Sequence, residues 1–169
     1  MTSVTRPAGR RRLAAFAVPS EPGNERLALA RVAEAVAASG LPPARMERLK
    51  TAVAEATMNA IEHGNRGRPD IPVDVEVIQD GADIIVAITD LGGEHAPGGP
   101  VEEPDLLAKL EGEQRARGWG LFLIRNMVDA MQVRTDGSRH TIQLTMRTGA
   151  TAPVQHSGGP EGGGDEEDL

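Results

Sequence analysis

Glu55 and Asn59 stand four residues apart in the segment Glu55-Ala56-Thr57-Met58-Asn59-Ala60-Ile61-Glu62-His63-Gly64. On a helix, that spacing places both side chains on one face. A carboxylate beside a carboxamide can hold a hard cation, position a proton acceptor, or simply face water. His63 follows one turn later, near the end of the helix, where an imidazole can bond the last carbonyls and its cationic form suits the dipole. That is a structural role, and Glu62 reads as an exposed neighbour.

Two further segments supply the partners that this face needs. In Thr89-Asp90-Leu91-Gly92-Gly93 an apolar run ends in an acid and glycines. Asp90 is an acceptor suited to an exocyclic amine such as that of adenine, and Gly92 lets a base lie against backbone. In Arg115-Ala116-Arg117-Gly118-Trp119-Gly120-Leu121 a basic, glycine-bearing loop becomes a helix. A helix N-terminus behind glycines offers free N–H groups and partial positive charge to phosphates. Arg115 and Arg117 can add charge-assisted bonds to the same phosphates. Asn59 offers an oxygen to Mg²⁺, which takes few protein ligands and keeps phosphates and water. Glu55 can accept a hydroxyl proton or orient a water beside a terminal phosphate. Each segment alone is ordinary: a wet helix face, a strand-end turn, a loop-to-helix joint. Together they make a nucleotide site.

The elements that must hold these residues are legible from periodicity. Residues 12–19 read as a strand ending at Pro19. Ser20 is placed to cap a helix over residues 24–39, with Leu27, Val32, Ala35 and Val36 as its apolar positions and Gly40 as its stop. Pro42-Pro43 opens a second helix, residues 44–63, ended by Gly64 and Gly67. Val73, Val75 and Val77 alternate with Asp74 and Glu76, a half-buried strand over residues 72–79. The Asp80-Gly81 turn leads into a more buried strand, residues 82–90. Residues 91–117 form a long loop rich in Gly, Pro and charge, interrupted by a short helix near residues 104–111; loops this long are usually functional. A helix over residues 118–131 carries Leu121, Ile124 and Val128 on one side. Two more strands flank Asp136-Gly137. The order predicts an α/β (α+β) two-layer sandwich, with helices on one face of a mixed, largely antiparallel sheet.

Composition sets the outer limits. The chain has 169 residues, enough for one domain. Residues 1–11 read as a disordered basic arm, 12–148 as the domain and 149–169 as a disordered acidic tail. No run approaches the ~18 apolar residues of a membrane span, and the N-terminal segment lacks a signal peptide's apolar stretch. With no Cys, the chain reads as cytoplasmic. Net charge is -7, and Glu161, Asp165, Glu166, Glu167 and Asp168 account for much of it, so the domain is near neutral. Together with two Phe, one Trp and no Tyr, that argues against direct nucleic-acid binding.

The three segments, in this order and wording, resemble the boxes of the GHKL ATPase/kinase superfamily, most closely its anti-sigma-factor serine-kinase branch, the RsbW/SpoIIAB-like proteins. Glu55-x-x-x-Asn59-Ala60-x-x-His63-Gly64 looks like the N box, Asp90-x-Gly92 the G1 box, and Gly118-Trp119-Gly120-Leu121 the G2 box. Val18-Pro19-Ser20-Glu21-Pro22 is similar to the family's start. The likeness spans residues 12–147. It implies the Bergerat, histidine-kinase-like ATPase fold. It also implies ATP bound through Asn59, Asp90, Gly92, Arg115, Arg117, Gly118, Gly120 and Leu121, with Mg²⁺ on Asn59, Glu55 as base and a lid over residues 94–117. Family members phosphorylate a serine on a STAS-domain anti-anti-sigma factor. Many silence a sigma factor, and they often form homodimers. One departure is visible: Gly93 follows Gly92 at once, and Glu94 takes the place of the spaced glycine. A module that binds nucleotide and acts by sequestration, or a switch kinase without a sigma factor, are the competing readings.

Overall fold

The computed structural model describes residues 9–92 and 116–149. Five strands form one sheet: β1 (Arg11–Pro19), β2 (Pro72–Asp80), β3 (Asp83–Asp90), β4 (Ala130–Asp136) and β5 (Arg139–Arg147). Their order across the sheet is β1-β2-β3-β5-β4, and every pairing is antiparallel. The expected mixed sheet is therefore antiparallel throughout the described residues. Among the described residues three α-helices, α1 (Asn24–Val36), α2 (Pro43–Asn59) and α3 (Ala116–Met127), cover one face. No helix among the described residues is long and apolar enough to cross a membrane.

Period-two alternation decides which face is covered. Val73, Val75 and Val77 of β2, Ile84, Val86 and Ile88 of β3, and Ile142, Leu144 and Met146 of β5 are buried under the helices. Their neighbours Asp74, Glu76, Thr141 and Gln143 lie on the other face. Both hairpins are two-residue loops. Asp80 pairs with Asp83 and Asp136 with Arg139. Gly81 and Gly137 take φ of +59° and +58° at the first loop position, as a type II′ turn requires. Each aspartate is thus the last residue of its strand, one position earlier in the turn than the sequence reading placed it.

Two expectations for α1 are corrected. Leu27 is 48% exposed, and the buried stripe is Ala28, Val32 and Val36. The buried stripe thus begins one position round from Leu27. Ser20 does not cap α1. The N-cap is Gly23, at φ +98°, and its N–H donates to the Glu25 carboxylate at 2.9 Å. The Ser20 hydroxyl instead donates to the Ile71 carbonyl at 2.5 Å.

The end of α2 departs from a regular helix. Residues Ala60–Gly64 form a π-turn, closed by the Asn65 N–H to the Ala60 carbonyl at 2.8 Å. Single π-turns of this kind are frequent at functional sites, because the extra residue re-aims the backbone that follows. Here it delivers Gly64 and Asn65 to the end of β3.

Candidate functional site

Two close-packed clusters stand out, one between α2 and α3 and one between the π-turn and the end of β3. The first is Glu55, Asn59 and Gly120. A Cβ built on Gly120 would lie 2.5 Å from Glu55 Oε1, 3.1 Å from Asn59 Nδ2 and 3.4 Å from Asn59 Oδ1. α3 approaches α2 this closely because Gly120 carries no side chain. Asn59 is 9% exposed. Among the described residues its Nδ2 and Thr57 Oγ1 are the buried side-chain polar atoms with no hydrogen-bond partner. Thr57 is two residues away and points off the Glu55 face. A buried carboxamide end without a partner costs free energy unless a ligand or water satisfies it.

Glu55 is half-buried, and that burial pushes its carboxyl above the usual carboxylate range; the charge of Glu62 adds to the effect. Glu62 is exposed, as the sequence predicts, but it bears on the site through its charge. A carboxylate held high is a stronger base than one in water.

The second cluster is Gly64, Asp90 and Gly92. A Cβ on Gly64 would collide with the Asp90 carboxylate, and one on Gly92 would overlap the Gly64 carbonyl. Asp90 Oδ1 accepts the Gly92 N–H at 3.1 Å. The π-turn and the end of β3 are therefore stacked backbone against backbone, with the Asp90 carboxylate wedged between them. Gly92 serves this close packing. From Asn59 to Gly64 the chain advances roughly 7 Å at a helix's ~1.5 Å per residue. One group thus offers a carboxylate beside a carboxamide, and the other an acidic acceptor.

The structure brings Glu55, Asn59 and Gly120 together, and, as a second group, Asp90 and Gly92 with Gly64. Leu121 is buried in the core beneath α3. Trp119 packs on Phe122, ring centroids 5.9 Å apart. Arg117 and Gly118 stand in the first turn of α3, with their side chains outside the described set. Arg115, nearly all of the lid segment and the short helix expected near residues 104–111 lie outside the described residues, as do the acidic tail beyond Gly149 and the first eight residues of the basic arm.

Sequence reasoning missed two residues. Asn65 is fully buried. Its Nδ2 donates to Ser20 Oγ at 2.9 Å, the Ile71 carbonyl at 3.2 Å and the Pro72 carbonyl at 3.1 Å. Its Oδ1 accepts the Leu91 N–H at 2.9 Å. One carboxamide thus ties the π-turn to the end of β1, the start of β2 and the exit of β3. His140 is 4% exposed and pairs with Asp90 across the sheet. A signal existed for His140, since it continues the alternation of Ile142, Leu144 and Met146. None existed for Asn65, whose partners include residues 45 upstream and 26 downstream.

The donor set fits Mg²⁺ brought in with a nucleotide. Among the described residues no group of three or more His, Cys, Asp or Glu gathers to hold a metal. Asn59 offers one hard ligand, and phosphates and water supply the rest of such a shell.

Comparison with known proteins places this geometry. The family model for the histidine kinase-like ATPase domain matches residues 18–147. A similar solved structure is that of the RsbU and RsbW domains of Rv1364c from Mycobacterium tuberculosis, with a TM-score of 0.54 at 19% identity. The match covers 79% of this chain and 32% of that one, so the chain spans about a third of that protein's length. No curated protein matches the chain.

Proposed function

The chain belongs to the histidine kinase-like ATPase domain family, and on that footing we propose that it is an ATP- and Mg²⁺-dependent protein-serine kinase acting as an anti-sigma factor. Its substrate is a serine on a STAS-domain anti-anti-sigma partner, and its other partner is a sigma factor. The observation that supports this reading is the pairing of a desolvated Glu55 with the Asn59 carboxamide, both against Gly120: Oδ1 is the atom a cation can take, and the buried Nδ2, a donor without a hydrogen-bond partner, can take a phosphate oxygen. A nucleotide pocket needs a cation ligand. A kinase also needs a base within reach of the terminal phosphate.

In this reading Asp90 accepts the amine of adenine and the N-terminal turn of α3 receives the phosphates. Mg²⁺, when bound, neutralises phosphate charge, and Asn59 is the residue that would hold it. Glu55 orients the serine hydroxyl and takes its proton as the oxygen attacks. Access to Glu55 favours a protein substrate. An open groove of about 520 Å³ between α1 and α2, lined by Leu29, Lys50, Ala54 and Met58, runs to the Glu55 side chain. A serine-bearing loop can reach the carboxylate along it. The resemblance of the three sequence boxes to serine kinases of this family supports the same choice.

Asn59→Ala is expected to weaken Mg²⁺-dependent ATP binding at least tenfold and to leave the magnesium-free nucleotide affinity nearly unchanged. Calorimetric titration with and without Mg²⁺ checks this. Equal losses in both conditions would remove Asn59 from the cation. Gly120→Ala forces the Glu55 carboxylate aside. It is expected to lower phosphotransfer roughly 10²-fold, as misplacement of a reacting group by about 1 Å does, with little change in melting temperature.

A second reading is a module that binds nucleotide and sequesters a partner without transfer. The run Gly92-Gly93-Glu94, in place of a spaced glycine, favours it. Incubation with labelled ATP and the STAS protein encoded nearest this gene separates the two readings. Label on a partner serine supports the kinase, and an ATP-dependent complex without label supports sequestration.

A further inference from the structure

The helix-covered face of β3 carries Ile84, Val86, Ile88 and then Asp90. The same face of β5 carries Met146, Leu144, Ile142 and then His140. Two apolar stripes thus end side by side in one acid and one imidazole, at the candidate nucleobase end of the site. His140 Nδ1 lies 3.8 Å from Asp90 Oδ1, with its side chain 5% exposed and that of Asp90 13%. This is longer than a hydrogen bond, yet within what a small side-chain rotation closes; functional contacts often tighten when a ligand arrives. The register cannot slip, because the Thr89 and Thr141 hydroxyls pair at 2.8 Å across the same two strands on the opposite face. The same Oδ1 accepts the Gly92 N–H at 3.1 Å, and Gly64 hems the carboxylate closely. A buried imidazole beside a half-buried carboxylate is costly to keep at the end of a core unless the pair has a task. Leu or Ile would continue either stripe without that cost.

We propose that His140 is a positioning residue for nucleobase recognition. It lies against Asp90 Oδ1, the oxygen that also takes the Gly92 N–H, and holds the carboxylate in the plane in which it accepts the 6-amino group of a purine. The proposal rests on the nucleotide reading above and extends it to a residue on the last strand. Asp90 alone would make the contact but could rotate about its terminal torsion, which is broad for a carboxylate. Hemmed by Gly64, Gly92 and His140, it presents one orientation.

The test is a ligand-by-variant cycle. Wild-type protein, His140→Ala and His140→Asn are titrated with ATP and with purine riboside 5′-triphosphate, which lacks the 6-amino group. In the wild type, deleting that group is expected to weaken binding about 10- to 100-fold, the range for a hydrogen bond to a charged acceptor. In His140→Ala the ratio is expected to fall below about threefold. His140→Asn, which returns an N–H donor near the place of Nδ1, is expected to restore most of it. A merely structural histidine would weaken both nucleotides alike and leave the ratio unchanged in both variants, which overturns the proposal. Should His140→Ala fail to fold, the ¹⁵N resonances of the His140 ring in the wild type decide. They are expected to move with ATP and much less with the deaminated analogue; equal movement with both, or none, rejects the role. A wild type that binds neither nucleotide overturns the nucleotide site itself. A wild type that prefers ATP while both variants keep that preference overturns only His140.

Discussion

Glu55→Gln is expected to lower phosphotransfer to the partner serine by roughly 10²- to 10⁴-fold, the usual worth of a positioned general base. ATP affinity should stay within about threefold of wild type. The amide fills the same space against Gly120 and removes only the ability to take a proton. The same substitution should raise the melting temperature at neutral pH, because burial disfavours the charged form of Glu55 and the amide carries no charge. Removal of that conflict is the familiar trade of stability against activity. Phosphotransfer with labelled ATP, nucleotide titration and a thermal melt give three independent readouts. Wild-type kinase activity in the Gln variant would take the base away from Glu55.

The pH dependence follows with a definite sign. Burial, and secondarily the Glu62 charge, raise the Glu55 carboxyl from its ordinary 4.5. The folded protein therefore holds this proton more tightly than the unfolded chain does. The stability gained from protonation is fully present below pH 4.5 and is lost as pH rises through the higher folded value. Activity runs the opposite way. The base must be ionised, so phosphotransfer falls as pH drops through that same raised value, and the acid limb lies above the range of an exposed glutamate. Glu62→Gln is expected to shift the limb to lower pH without removing activity, since Glu62 is exposed and acts only through its field. The melting advantage of Glu55→Gln should shrink toward zero as pH falls below the limb, where wild-type Glu55 is itself neutral.

The parts of the site written by local rules were legible in the sequence. The i,i+4 spacing of Glu55 and Asn59 put them on one helix face before any coordinates, and alternation assigned Ile84, Val86 and Ile88 to the buried face of a strand ending at Asp90. Strand order was not legible: β5 inserts between β3 and β4 because the last hairpin folds back against β3, a pairing that no local pattern encodes. Ser20 was misread for a related reason. Its residue type and place fit a helix cap, but a carbonyl 51 residues away claimed its hydroxyl. The helix ending at His63 could be foreseen, whereas its change to π-spacing at Ala60 could not. That change depends on where the chain must go next, to meet β3 at Gly92.

Asn65→Ala is expected to destabilise the domain by about 2–5 kcal/mol, lowering the melting temperature by roughly 10 °C. The substitution removes the donor to two backbone carbonyls and a hydroxyl, and the acceptor of the Leu91 N–H. The Ile71 carbonyl keeps the Ser20 hydroxyl, but Leu91 N–H loses its partner at a half-buried position. Unmade hydrogen bonds of this kind cost more than the bonds themselves contribute. Asn65→Asp should fare no better at neutral pH, because it turns the donor into an oxygen facing two carbonyl oxygens. The functional consequence is separable from the loss of stability. Leu91 lies between Asp90 and Gly92, so its release loosens both at once. Nucleotide affinity should therefore fall at temperatures well below the melt, where the domain is still folded by circular dichroism. A variant that melts earlier yet binds ATP as tightly as wild type would make Asn65 a brace for the sheet alone. Tight coupling between its melting temperature and its affinity for ATP would make it the joint through which the helix-borne half of the site and the strand-borne half hold one another in place.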